Sequence, residues 1–232
     1  MYENKLQQND EYKARIEAHG PLSTDIISQI NTHYKITLTY SSNSLSGNPL
    51  NLVDTKVILE DGLAVNGKMR DHLEVLGHAD AYDEILKLSQ NNSITEENIK
   101  KLHHLFYYRI DGVNAGQYIS AEVDKSMKEF VKRLSQLKAD LHPVEYAAII
   151  HATFLNLRPF IDGNGRAARL LMNLALLQAG YNVTIIPPVV QTDYIMALQE
   201  SSENDMAPFV NFISEMVLES QKEYLKIVER LS

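Results

Sequence analysis

Residues 142–180, "HPVEYAAIIHATFLNLRPFIDGNGRAARLLMNLALLQAG", constrain the fold more than any other segment. Two strongly apolar runs, "AAIIHATFLNL" and "LLMNLALL", flank a short stretch rich in proline, glycine and asparagine. Pro143 stands where proline starts a helix well, with φ preset and no N–H to lose. Pro159 ends that helix, because the residue before a proline avoids the α region. "PFIDGNG" is then a tight loop, and Phe160 is expected to turn inward as its anchor. Leu170, Leu171, Leu174 and Leu177 fall on the buried side of the next helix, which closes at Gly180. Helix, corner, helix is the pattern of a central pair.

The chemistry at this corner is unexpected. Arg166 and Arg169 lie in the first turns of a helix, the end whose partial positive charge favours anions. Backbone N–H groups of residues 163–166 have no intrahelical acceptor there. Glycine at 163 and 165 lets an anion approach that backbone closely. Backbone donors, helix dipole and two guanidinium forks would converge on one volume, which suits a polyphosphate. Asp162 is placed to hold a magnesium ion bridging the phosphates. The alternative is an ordinary loop with Arg166 and Arg169 on a solvated face.

The rest of the chain also reads as helical, so the expected fold is all-α, with at most a small β-hairpin around the Asn66-Gly67 turn of "LAVNGK". Residues 1–21 form an N-terminal surface helix, and residues 22–232 a single domain. A second helix is capped by Ser23 or Thr24 and ends at Gly47-Asn48-Pro49. "NLVDTKVILED" is a short helix stopped by Gly62. In "MRDHLEVLGHADAYDEILKLS", Leu73, Leu76, Ala79 and Tyr82 mark the apolar stripe. Thr95, followed by Glu96 and Glu97, opens another helix. Val123, Met127, Phe130, Val131 and Leu134 mark the next stripe. Phe209, Phe212, Ile213, Met216 and Val217 mark the last, part of which could serve a homodimer.

Net charge is −8 with no cysteine. A general nucleic-acid or anionic-membrane surface is therefore not expected. Disulfides, thiolate catalysis and cysteine-bound zinc are excluded, and a cytoplasmic location is the default expectation. His103, His104, His142 and His151 match no usual metal-ligand spacing and read as core or surface histidines.

"PFIDGNGRAAR" resembles the core motif of the Fic family, usually His-Pro-Phe-x-Asp/Glu-Gly-Asn-Gly-Arg-x-x-Arg. The likeness extends to "HPVEYAAIIH", "LLMNLALLQAGY", "TDYIMALQ", "MRDHLEVLGHADAYDEIL" and "LTYSSNSLSGNPLNLVDTKVILEDGL". The last is similar to the region around an inhibitory helix, here near residues 30–48, ahead of the core motif at 158–169. The resemblance implies an all-α protein adenylyltransferase that moves AMP from ATP, with Mg2+, to a hydroxyl of a target protein or of itself. It implies Asp162 as the magnesium ligand, Gly163, Asn164 and Gly165 as the anion-binding turn, and Arg166 and Arg169 as phosphate ligands. Tyr194 takes the place of an aromatic residue near the adenine, or else is a core tyrosine.

Three departures from the family pattern stand out. Arg158 occupies the position of the histidine that acts as general base, and a guanidinium stays protonated at neutral pH. His151, two turns back, is the nearest substitute and reads as a core residue. The inhibitory helix usually reads Ser-x-x-x-Glu-Gly, its glutamate pairing with the second motif arginine. Here "SNSLSG" keeps Ser42 but has Ser46, uncharged and expected to be too short to pair well with Arg169. Finally, only a few residues separate Tyr118 from a helix beginning near Ala121, leaving little room for the β-hairpin flap that holds a target by strand addition. An adenylyltransferase impaired by these changes and a nucleotide-binding pseudoenzyme or interaction module both fit.

Overall fold

The computed structural model describes residues 2–202 and 204–231. Ten α-helices follow one another: α1 (Glu3–Glu17), α2 (Thr24–Ser44), α3 (Leu52–Lys56), α4 (Met69–Leu88), α5 (Glu96–Tyr107), α6 (Ala121–Asp140), α7 (Pro143–Leu157), α8 (Asn164–Gln178), α9 (Gln191–Glu200) and α10 (Ala207–Leu231). α3 runs on into a π-helical turn, Val57–Asp61, capped by Gly62 at φ 66°. No strand occurs among the described residues beyond one isolated bridge, Ser202 to Asp205. The small hairpin expected around Asn66-Gly67 is absent, and the Val65 N–H is satisfied by the His72 ring instead (3.1 Å).

The sequence signals at the helix ends act as read. Ser23 caps α2 by accepting from the Ile26 N–H, and Thr95 caps α5 through the Asn98 N–H. Pro143 occupies the first turn of α7, and Gly180 follows α8 at φ 78°. α7 and α8 pair across the 158–163 corner and form the centre, with α4, α5, α6 and α10 around them. α1 docks along α10 through Asn9, which donates to the Ser214 carbonyl (3.0 Å) and accepts from Gln221 (3.1 Å). A helix with few apolar residues is thereby held by a satisfied buried amide.

Two faces differ from the hydrophobic pattern. α8 is buried on every side from Arg166 to Leu176, whereas Leu177 is only partly covered. The two motif arginines are therefore interior. On α4, Leu76 is 37% exposed while Asp71, Glu74, His78, Ala79 and Tyr82 are buried. The inward stripe is rotated toward polar residues, with Glu74 paired to Arg166 of α8 and His78 bonded to Thr39 of α2.

α4 and α5 approach closely at Gly77. A Cβ there would lie 2.7 Å from the Phe106 carbonyl oxygen and 2.8 Å from its Cα. Backbone cannot yield as a flexible side chain would, so Gly77→Ala should overpack this contact. The expected loss is about 1–3 kcal/mol in urea unfolding; an unchanged midpoint would show that α4 and α5 can separate freely.

Candidate functional site

The corner between α7 and α8 forms a cleft of about 570 Å³, lined by Ser46, Ile119, Leu155, Arg158, Phe160 to Asp162 and Gly163 to Arg166. Its floor is the N-terminus of α8. Ala167 is the first residue of that helix to find its i−4 acceptor, at Gly163. The backbone N–H groups of Asn164, Gly165 and Arg166 have no acceptor among the described residues. These are the free donors that an anion site needs.

Local contacts hold the loop in shape. Gly163 has φ 73°, and a Cβ on it would meet the Phe106 ring at 2.6 Å. Conformation and space thus both demand glycine. The Asn164 side chain turns back rather than into the cleft: its amide donates to the Phe160 carbonyl (2.8 Å) and its oxygen accepts from the Phe160 N–H (2.9 Å). Phe160 is buried and stacks on His103 with ring centroids 3.7 Å apart. His103 Nδ1 accepts from the Gly116 N–H (2.8 Å). That fixes the proton on Nε2, which donates to the Asp162 carbonyl (3.1 Å). No local signal assigns His103 this role, because its partners Gly116 and Asp162 lie elsewhere along the chain.

The arginines fill three environments. Arg158 caps α7 at φ 44°, the one non-glycine residue with positive φ among those described. Its side chain is exposed on the cleft wall and makes no ion pair among the described residues. Arg166, 3% exposed, pairs with Glu74 of α4 (3.2 Å), donates to Asn43 Oδ1 (3.3 Å) and lies over the Phe106 ring. Its Nε is buried without an acceptor. Arg169, 4% exposed, has neutral partners only: Ser42 Oγ (3.0 Å), the Ser42 carbonyl (2.7 Å), Ser46 Oγ (2.8 Å) and the Tyr194 hydroxyl (3.5 Å). Gly165 leaves room for it, since a Cβ there would sit 3.2 Å from an Arg169 terminal nitrogen.

Ser46 thus reaches Arg169 after all, because α2 ends directly against α8. What it lacks is charge, not length. Tyr194 is buried among Phe209 and Phe212, with its hydroxyl between Arg169 and His151 Nε2 (3.0 Å). It lies behind the cleft wall, as does His151, which is fully buried.

Among the described residues, Asp162 is the one carboxylate on the wall. Its Oδ1 accepts from the Gly163 N–H (2.6 Å) and its Oδ2 from Arg70 of α4 (2.7 Å), with Arg166 at 4.0 Å. Arg70 is itself braced by Glu74 (3.2 Å), and Glu74 accepts from Asn48 (2.9 Å). No group of three or more His, Asp or Glu side chains suited to a metal occurs among the described residues. A divalent ion at Asp162 would find both oxygens engaged and two guanidiniums beside it, so these residues as arranged do not fit a metal. Arg70, Glu74 and Asn43 escaped the sequence reading because they act only through contacts made by folding.

Comparison with known proteins is consistent with this architecture. Residues 93–176 match the Fic/DOC family model. Over 202 residues, 80% of this chain, identity is 37% to protein adenylyltransferase Fic of Drosophila willistoni and 36% to that of Drosophila melanogaster. The chain spans 41% of the length of each. Fic-1 from C. elegans superposes with a TM-score of 0.90 at 27% identity, covering 97% of this chain and 71% of that one. A Fic domain containing signaling protein from Bacteroides thetaiotaomicron gives 0.87 at 26% identity, covering 97% and 98%. No helix is long and apolar enough to cross a membrane among the described residues.

The site carries a pH signature. Burial first, and nearby Arg166 and Arg169 second, push the His78 pKa down to about 3. Burial, with Arg169, takes His151 to about 3. Burial lowers His103 to about 4 against the opposing pull of its Asp162 hydrogen bond. All three folded values lie below the ordinary 6.5, so the unfolded chain binds more protons between pH 6.5 and about 4. Stability is full above this window and falls as the pH drops through it, by up to ~1.4 kcal/mol per pH unit for each histidine. Urea titrations at pH 7 and pH 5 should show the fall, and equal midpoints would contradict it.

Proposed function

We propose, from the match of residues 93–176 to the Fic/DOC family model, that the chain binds ATP in the cleft at the start of α8 and transfers AMP to a protein hydroxyl, slowly because of Arg158. The observation that carries the binding half is Arg169. A buried guanidinium with only neutral partners, packed beneath Gly165 and beside three free backbone N–H groups, is short of a negative charge. A polyphosphate supplies it. The acceptor hydroxyl belongs to another protein or to the chain itself.

In the transfer step, the hydroxyl oxygen attacks the α-phosphorus, the bond from that phosphorus to the bridging oxygen breaks, and pyrophosphate leaves. With no side-chain base at the position of Arg158, the hydroxyl proton passes to water or to the departing pyrophosphate. Arg158 cannot take it, and Asp162 is already engaged by Arg70 and Gly163. The magnesium expected with ATP has no other carboxylate on the cleft wall among the described residues. The inhibitory contact at Ser42 and Ser46 supplies hydrogen bonds to Arg169 but no charge, so an incoming phosphate can outcompete it.

A second reading, ATP binding without transfer, is favoured by the segment before α6. Residues 116–120 contain no strand, and the Ile119 N–H is spent on the Pro159 carbonyl (3.0 Å). A target backbone has no flap edge to pair with there.

Incubation with magnesium and ATP labelled at the α-phosphate separates the readings. Arg158→His should raise covalent labelling by ~10²–10⁴-fold, the usual value of a positioned general base. ATP labelled at the γ-phosphate should leave no label. If Arg158→His binds ATP by calorimetry yet stays unlabelled with lysate proteins present, the transfer reading falls and the binding reading stands.

A further inference from the structure

Arg70 stands outside the motif, on a different helix, yet it makes the shortest ion pair to the cleft. Its Nη2 lies 2.7 Å from Asp162 Oδ2. The contact is part-exposed but braced from behind by buried groups. Arg70 Nε is held by Glu74 Oε1, which also holds Arg166, and Asn48 fixes the other Glu74 oxygen. Arg70 and Arg166 thus bracket Asp162 from a scaffold of buried partners.

A magnesium ion needs carboxylate oxygen at about 2.0–2.1 Å and near-octahedral surroundings. At Asp162 it would have to displace Arg70 and then sit beside Arg166, adding two charges where two guanidiniums already stand. Arg158 extends a further, unpaired cation into the same cleft. Among the described residues, Arg70 and Arg166 share Asp162 and Glu74, while Arg158 and Arg169 pair with no carboxylate, so the site is cationic before any metal arrives.

We propose that this cleft takes nucleoside triphosphates free of divalent metal, with Arg70 standing where the metal would stand at Asp162 and Arg158 adding the charge that the phosphates require. The inference rests on the phosphate-cradle reading above. It makes Arg70 a ligand-selecting residue: it favours the bare polyphosphate over its magnesium complex. Most nucleotide is magnesium-bound wherever the ion is plentiful, so occupancy would rise as free magnesium falls.

Titration calorimetry of the full chain with ATP, once in EDTA and once in excess Mg2+, tests this directly. Affinity in EDTA should equal or exceed that in Mg2+. A loss of about tenfold or more in EDTA, 1.4 kcal/mol, overturns the proposal while leaving the cradle intact. No binding in either condition overturns the cradle itself. Arg70→Gln should reverse the preference: weaker ATP binding in EDTA, recovery on adding Mg2+, and Mn2+ retained at Asp162 by electron paramagnetic resonance. Arg70→Lys should keep much of the original preference. Arg70 is half exposed, so a thermal melt near that of the parent is expected and checks folding. Metal preference unchanged in folded Arg70→Gln also overturns the assignment.

Discussion

Two cations buried in the central helix set the terms for everything around them. Taking a guanidinium out of water is expensive unless its donors are matched. For Arg166 the match comes from α4, which must present Glu74 inward and so turns Leu76 outward. For Arg169 it comes from the end of α2, whose serines and free carbonyl close over it. The positions of α2 and α4 against α8 follow from this demand as much as from apolar packing. The segment just past α2 then reaches the cleft, whose lining includes Ser46.

The local part of this design is legible in the sequence. Caps at Ser23 and Thr95, the proline start at 143, the proline stop at 159 and the glycine corner at 163 each act over a few residues, where residue type and backbone preference agree. The inward anchor Phe160 and the central α7–α8 pair follow from the same local logic. Polar interior faces do not. Asp71, Glu74 and His78 carry no apolar signature, so a periodicity reading places them outside; Glu74 is inside because it pairs with Arg166 of α8, and His78 because it bonds to Thr39 of α2. The Asn66-Gly67 turn signal was genuine for a bend but had no flanking strands able to pair. Ser46 reaches Arg169 despite its short side chain because α2 ends, two residues before it, within hydrogen-bond reach of Arg169.

At Arg158 the backbone and the side chain answer to different demands. Its backbone adopts the left-handed turn that ends α7, which only the chain direction at the corner requires. The side chain is unconstrained, projecting from the rim without a partner. A change of residue there alters the charge and basicity of the cleft while leaving the loop, the free N–H groups and the buried arginines in place.

Gly163 leads to a different conclusion. The ring of Phe106 lies where its side chain would begin, and Phe160 and His103 are stacked beside it. The glycine corner is therefore part of the hydrophobic core, not an appendage on it. Such a motif can outlive its reaction: a chain relieved of catalysis still needs the corner to fold, and an intact signature is then a record of architecture, not of turnover.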